Sequence, residues 1–254
     1  MNLLDLSGRN ALVVGAGGLG SPIALGLAEQ GADVAAADID QARAEEAAAG
    51  VAALGRKSLA LQVDVTADRS VEAMAAAYAA AFPRVDILVN CVGVAARTKT
   101  EDIPIERWDE VVRLNLHGTF VCCQVFGRRM IEQGGGKIVN VSSVRGNYGI
   151  LGKGCSEYAA SKGAINALTR ALAAEWGPHN IYVNAVAPTV VETSLTAGLL
   201  ADPEARRNLC ATIPLGRWAK AEDVVGPVVF LASATAGFIT GQILYIDGGL
   251  TAAV

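Results

Sequence analysis

Seven short apolar runs alternate with longer stretches of helical period along this chain, and that alternation points to successive βαβ units building a parallel sheet. The runs begin at Ala11 (ALVV), Asp33 (DVAAAD), Ser58 (SLALQV), Val85 (VDILVN), Lys137 (KIVNV), Ile181 (IYVNAV) and Gln242 (QILYI), most of them rich in β-branched residues. Ala-rich stretches from Ser21 to Gln30, Gln41 to Leu54 and Ser70 to Phe82 suit close helix-on-sheet packing. Hydrophobic residues make up 52% of the chain, enough to cover both faces of such a sheet. The expectation is one domain over residues 1–254, an α/β doubly wound sheet of about seven strands with helices on both faces. In such sheets ligands collect at the carboxyl ends of the strands, so the residues just after each strand carry the functional reading.

The first strand is followed at once by Gly15-Ala16-Gly17-Gly18-Leu19-Gly20, which opens a helix. Glycine here lets backbone approach a pyrophosphate closely, with the free N–H groups of the helix N-terminus facing it. Asp38 ends the second strand, where a carboxylate can accept both ribose hydroxyls and would repel a 2′-phosphate. No Arg or Lys lies in the loop or beside Asp38 before Arg43, so a partner for an extra phosphate is missing and the cofactor expected is NAD. Asp64 and Val65, after the third strand, border the adenine in this reading. Asn90-Cys91-Val92-Gly93, after the fourth, brings backbone close to the cofactor. Together these make a Rossmann-like dinucleotide-binding unit.

Tyr158 and Lys162 stand four residues apart in a stretch of strong helical character, so both side chains project from one face. An ammonium beside a phenol favours the phenolate, which lowers the tyrosine pKa toward the working pH of a general acid or base. The preceding strand ends in Ser142-Ser143, whose hydroxyls can donate to a substrate oxygen.

With these motifs in order, the chain resembles a classical short-chain dehydrogenase/reductase over nearly its whole length. The resemblance implies a catalytic tetrad of Asn115 (in RLNLHG), Ser143 (in NVSSVRG), Tyr158 and Lys162 (in YAASK). In it Tyr158 exchanges the proton and Ser143 holds the substrate oxygen. Lys162 binds the nicotinamide ribose and acidifies Tyr158, and Asn115 positions a water. The same resemblance implies that Asp64 and Asn90 line the cofactor cleft and that Thr193 (in PTVVET) holds the carboxamide. It further implies a homotetramer formed through the helices bearing Asn115 and Tyr158.

Several positions depart from the family. The glycine loop is one residue shorter than Thr-Gly-x-x-x-Gly-x-Gly and satisfies Gly15-x-Gly17-x-x-Gly20 instead. Asn90-Cys91-Val92-Gly93 replaces Asn-Asn-Ala-Gly, and Pro188-Thr189 replaces Pro-Gly, both at cofactor contacts. The gap from Ser143 to Tyr158 is longer than common and holds Gly149, Gly152 and Gly154, so one wall of the substrate pocket is altered and Ser142 becomes a rival to Ser143. Residues 189–214 show no clean period and read as a lid over the site.

The reaction expected is NAD-dependent interconversion of a secondary alcohol and a ketone. The pocket candidates Arg145, Asn147, Tyr148, Lys153 and Glu192 favour a polar substrate such as a polyol or sugar acid. The ending DGGLTAAV is similar to gluconate 5-dehydrogenase-like members of the family. The alternatives are 3-oxoacyl thioester reduction, against which Asp38 argues through its NADPH habit, and a catalytically silent dinucleotide-binding subunit.

Other partners are not expected. A net charge of -4 without basic runs offers no footprint for nucleic acid or an anionic membrane. No apolar run is long enough to cross a bilayer. Five cysteines without a CxxC pair, and an N-terminus lacking the plan of a signal peptide, fit a cytoplasmic protein. The two histidines lie outside any HExxH motif and read as packing or surface residues, so no metal site is expected. Gly134-Gly135-Gly136-Lys137 resembles the tail of a P-loop but lacks the following Ser or Thr, and reads as a helix-ending turn.

Overall fold

The computed structural model describes residues 2–95, 98–149, 154–193, 196 and 201–253. Seven parallel strands form a single sheet in the order β3-β2-β1-β4-β5-β6-β7. The strands are β1 (Asn10–Val14), β2 (Asp33–Asp38), β3 (Ser58–Gln62), β4 (Ile87–Asn90), β5 (Gly136–Val141), β6 (Ile181–Pro188) and β7 (Ile243–Ile246). The order reverses between β1 and β4, which opens a crevice at their carboxyl ends.

Alternation along β1 sends residues to opposite faces. Leu12 and Val14 pack with Ala35, Leu88, Ile138 and Val183 beneath α3 (Asp68–Ala81), α5 (Gly118–Glu132) and α6 (Ser156–Trp176). Tyr78, Phe82, Phe126 and Met130 fill that layer, and Tyr78 stacks on Phe82 with ring centroids 4.9 Å apart. Ala11 and Val13 face the other way with Val34, Val89, Val139 and Val186, under α1 (Gly20–Glu29) and α8 (Ala221–Ala232). The remaining α-helices among the described residues are α2 (Gln41–Ala53), α4 (Ile105–Val112) and α7 (Pro203–Thr212).

Two expectations change. The fourth strand begins at Ile87 rather than Val85, because the Val85 backbone N–H and C=O both bond to the side chain of Gln133, at 3.2 and 2.6 Å. The segment 189–214 is not wholly irregular, since α7 lies inside it. This helix starts on a Pro at N1 and is capped by Asp202, whose Oδ1 accepts from Glu204 N at 2.9 Å. None of its residues is buried, so it has no apolar period to read. The segment Gly134-Gly135-Gly136-Lys137 ends one element and starts the next: Gly134 and Gly135 take φ of 83° and 145° just past α5, and Gly136 opens β5. No helix among the described residues is long and apolar enough to cross a membrane.

Candidate active site

The glycine loop is shaped by backbone that leaves no room for a Cβ. Gly15 has φ +93°, and a Cβ on it would sit 2.8 Å from the Cys91 carbonyl carbon. One on Gly20 would fall 1.8 Å from the Gly15 oxygen. The Gly15 and Ala16 amides donate to the Ala37 carbonyl at 2.7 and 3.1 Å, tying the loop to the end of β2. Helix α1 has no side-chain cap, and among the described residues the Gly18 and Leu19 N–H groups find no acceptor. Unsatisfied amides at a positive helix end fit a pyrophosphate, so the residues present suit a dinucleotide.

Asp38 is buried at the end of β2 beside this loop. Its Oδ2 accepts from Gly17 N at 3.0 Å and its Oδ1 from Asp40 N at 3.0 Å. The expectation that no cation stands near is corrected. The turn from β2 into α2 swings Arg43 back over the loop, so that its Nη1 lies 3.3 Å from where a Gly17 Cβ would stand. Arg43 Nε also pairs with Asp40 at 3.3 Å.

Asn115, Ser143, Tyr158 and Lys162 come from three elements and meet beside the crevice. Asn115 sits in a π-helical turn, Arg113–His117, between α4 and α5. Its Oδ1 accepts from Val94 N at 2.8 Å, and its Nδ2 donates to Val94 O at 2.9 Å and Ser161 Oγ at 3.0 Å. Ser161 Oγ donates in turn to the Tyr158 carbonyl at 2.8 Å. Lys162, 3% exposed, donates from Nζ to the Val141 carbonyl at 2.7 Å. A Cβ on Gly93 would stand 3.2 Å from Lys162 Nζ and 3.7 Å from Asn115 Oδ1, so these two groups close around that glycine. The Lys162 ammonium lies 5.7 Å from the centroid of the Tyr158 ring.

The electrostatics differ from the expectation of a phenol acidified by lysine. Burial raises the Tyr158 pKa, while the Ser143 hydroxyl beside it and the Arg145 charge work in the opposite direction. Burial likewise brings Lys162 down to about 8. Burial therefore moves both groups toward their neutral forms in the protein alone.

The two serines separate cleanly. Ser142 Oγ donates to the Lys162 carbonyl at 3.2 Å and is spent on packing α6 against β5. Ser143 faces Tyr158, and its Oγ lies 3.5 Å from the Pro188 carbonyl. Asp64 accepts from Thr66 N at 2.9 Å and Thr66 Oγ1 at 2.7 Å, shaping the turn into α3, and Val65 packs against Gly118. Asn90 departs from its expected place on the cleft wall. Its side chain is buried and donates to Asn140 Oδ1 at 2.9 Å, while Asn140 donates to Thr169 at 3.0 Å, a polar ladder that ties β4, β5 and α6 together. Thr193 stands across the crevice with its Cβ 4.0 Å from where a Gly18 Cβ would be. Glu192 Oε2 accepts from Trp218 Nε1 at 3.3 Å. Gly152, Lys153 and Gly198 lie outside the described residues.

Sequence reasoning missed Ser161, one helical turn from Tyr158, and the reach of Arg43. His117 pairs with Asp68 at 2.8 Å on the surface, as a dull histidine should. Among the described residues no cluster of His, Cys, Asp or Glu can hold a metal.

Residues 14–251 match the protein family described as enoyl-(acyl carrier protein) reductase. The chain is 38% identical over 251 residues to gluconate 5-dehydrogenase of Gluconobacter oxydans, covering 98% of this chain and 97% of that protein. It is 41% identical over 248 residues to the NAD-dependent glycerol dehydrogenase of Listeria innocua, covering 97% and 95%. A crystal structure of a gluconate 5-dehydrogenase from Burkholderia cenocepacia, in complex with NADP and tartrate, superposes with a TM-score of 0.94 at 35% identity, over 100% of this chain and 99% of that one. With the crevice, the glycine loop and the Tyr158–Lys162 helix in place, these likenesses make the chain a classical short-chain dehydrogenase/reductase of the gluconate 5-dehydrogenase-like kind, an oxidoreductase of CH–OH groups that depends on a nicotinamide nucleotide.

Proposed function

We propose that this protein interconverts a polar secondary alcohol and its ketone, with Tyr158 as the proton-transferring group. The observation that carries this reading is that Lys162 and Asn115 close around Gly93 while Ser143 stands beside Tyr158, one turn of α6 from Lys162, at the carboxyl ends of the sheet. A bound nicotinamide supplies the hydride acceptor for oxidation and the hydride donor for reduction. Ser143 donates a hydrogen bond to the substrate oxygen and orients it toward the phenol. In reduction, Tyr158 gives its proton to that oxygen as negative charge develops there; in oxidation, it takes the proton back. Lys162 holds the nicotinamide ribose and returns the proton through a water positioned by Asn115. The relatives act on gluconate and glycerol by name, which supports polyols and sugar acids as the substrate class.

Asp38, aimed at the ribose position, supports NAD as the preferred coenzyme. Arg43 keeps the preference from being absolute, because its guanidinium can meet a 2′-phosphate from above the loop. The free amides of Gly18 and Leu19, in the loop framed by Gly15, Gly17 and Gly20, face the pyrophosphate. Asp64, Val65 and the backbone at Asn90 border the adenosine half, with Pro188 and Thr193 on the nicotinamide side. Residues 189–214 close over the bound coenzyme, a role supported by the Val191–Ala219 bridge at their base. The assembly is a homotetramer whose contacts include the face of α5 around the partly exposed Phe120.

The test follows absorbance of the reduced coenzyme with NAD and NADP in parallel, over polyols, sugar acids and hydroxyacyl thioesters. Tyr158→Phe is expected to lose about 10²–10⁴ in kcat with coenzyme binding unchanged. Retention of most activity would remove the phenol from the mechanism. Binding of NADH without turnover of any substrate would leave a silent dinucleotide-binding subunit.

A further inference from the structure

We propose that Arg145 is a carboxylate-binding residue of the substrate pocket, so that the substrate is a hydroxy acid or keto acid rather than a neutral polyol; this rests on the alcohol–ketone reading above. Arg145 lies in the single turn Val144–Gly146 that follows Ser143, which puts it next to the reacting oxygen. Its guanidinium carbon stands 5.4 Å from the centroid of the Tyr148 ring, and its charge reaches the Tyr158 phenol.

Among the described residues this cation meets the face of Tyr148 but no anionic or hydrogen-bonding partner. Nη1 is buried without a hydrogen bond, and among the described residues none of the side-chain N–H groups meets an acceptor and no carboxylate comes within 4.0 Å. Two acids on the same side of the fold are engaged elsewhere. Asp247 accepts from Gly249 N, Thr251 N and Thr251 Oγ1 at 3.0, 2.8 and 2.6 Å, and Glu192 is bonded to Trp218.

Arginine keeps its charge at any working pH, and a half-buried guanidinium without a counter-charge is costly to the fold. Bound substrate relieves that cost only if it brings negative charge. A carboxylate does so through two parallel hydrogen bonds matched to the guanidinium fork, whereas a hydroxyl leaves the charge uncompensated. The distance from Arg145 to the Ser143–Tyr158 pair then selects which hydroxyl along the acid is oxidised.

The experiment compares aldonates with the matching alditols: glycerate with glycerol, threonate with threitol, gluconate with glucitol. For wild type, Arg145→Lys and Arg145→Met, kcat and KM are measured on each pair. Wild type is expected to favour at least one acid over its neutral partner by ~100-fold in kcat/KM, the scale of a charge-assisted hydrogen-bonded contact. Arg145→Met should erase the acid-over-alditol margin, with the loss on the acid appearing in KM, while any change in kcat from the altered charge near Tyr158 falls on acid and alditol alike; Arg145→Lys should recover part of the margin. Protection of unmodified protein against melting by NADH plus acid, but not by NADH plus alditol, reads the same contact without any substitution. Equal use of acid and alditol by wild type, or an equal loss of both in Arg145→Met, overturns the role of Arg145 and leaves the alcohol–ketone reading standing. Absence of turnover on every pair with either coenzyme overturns both.

Discussion

Replacing Lys162 by Met tests whether the buried ammonium is held at a cost. Lys162 is 3% exposed, and among the described residues its Nζ donates only to the Val141 carbonyl, at 2.7 Å. Burial brings its pKa from 10.5 to about 8, a fall worth about 3 kcal/mol at ~1.36 kcal/mol per pH unit. Against this, Met leaves the Val141 carbonyl without its donor, a loss of about 1–3 kcal/mol. At pH 7 the variant should therefore match wild type or exceed it by up to about 2 kcal/mol, although turnover is abolished. The pH dependence carries the sign. Below about 8 both folded and unfolded chains hold the proton, so wild type bears the full cost. Between about 8 and 10.5 the unfolded chain still binds a proton that the folded chain has released, so wild-type stability rises with pH. The Cys91 thiol, whose charge couples to Lys162, is pushed up by burial to about 12, above the range measured. Urea unfolding without coenzyme, followed by far-UV circular dichroism at pH 7, 8.5 and 10, should show wild type gaining about 2 kcal/mol on Lys162→Met across the range. A difference that stays flat from pH 7 to 10 would refute the claim that this ammonium is desolvated in the folded protein.

Other perturbations separate the parts of the site. Arg43→Ala should lower kcat/KM with NADP by ~10-fold while leaving NAD nearly unchanged, since one partly exposed charge-assisted contact is removed; steady-state kinetics with both coenzymes decide it. Gly20→Ala drives a Cβ to 1.8 Å from the Gly15 oxygen, and should cost about 3 kcal/mol in urea unfolding together with measurable NADH binding. Asp202→Ala removes the cap of α7 at a local cost of about 1 kcal/mol. Because α7 buries no residue, hydrogen exchange should speed up in that helix while the global melting temperature holds.

What could be read from the chain follows from what each signal encodes. β2 was legible residue for residue, Asp33–Asp38, because a buried run bounded by Gly31 and the Asp40 cap has only one way to sit in a parallel sheet. α7 escaped because amphipathic period reports burial, and a helix that buries nothing leaves only its Asp202-Pro203 start as a mark. Tyr158 and Lys162 stand out in the sequence as residue types that the core has no use for, one turn apart on an otherwise Ala-rich helix. Asn90 went the other way: the core does use it, in a ladder with Asn140 and Thr169 whose members stand 50 and 29 residues apart, and no linear spacing encodes that pairing. Arg43 shows the same limit in a charge, since five residues of separation from Asp38 hide a turn that folds the guanidinium back onto the loop. The balance of burial and charge at Tyr158 belongs to this class too. Helical spacing places Lys162 one turn away, but the direction of the pKa shift depends on how much water both groups lose, and that is a property of the packed site, set by Val141, Gly93 and Ser143 as much as by the pair itself.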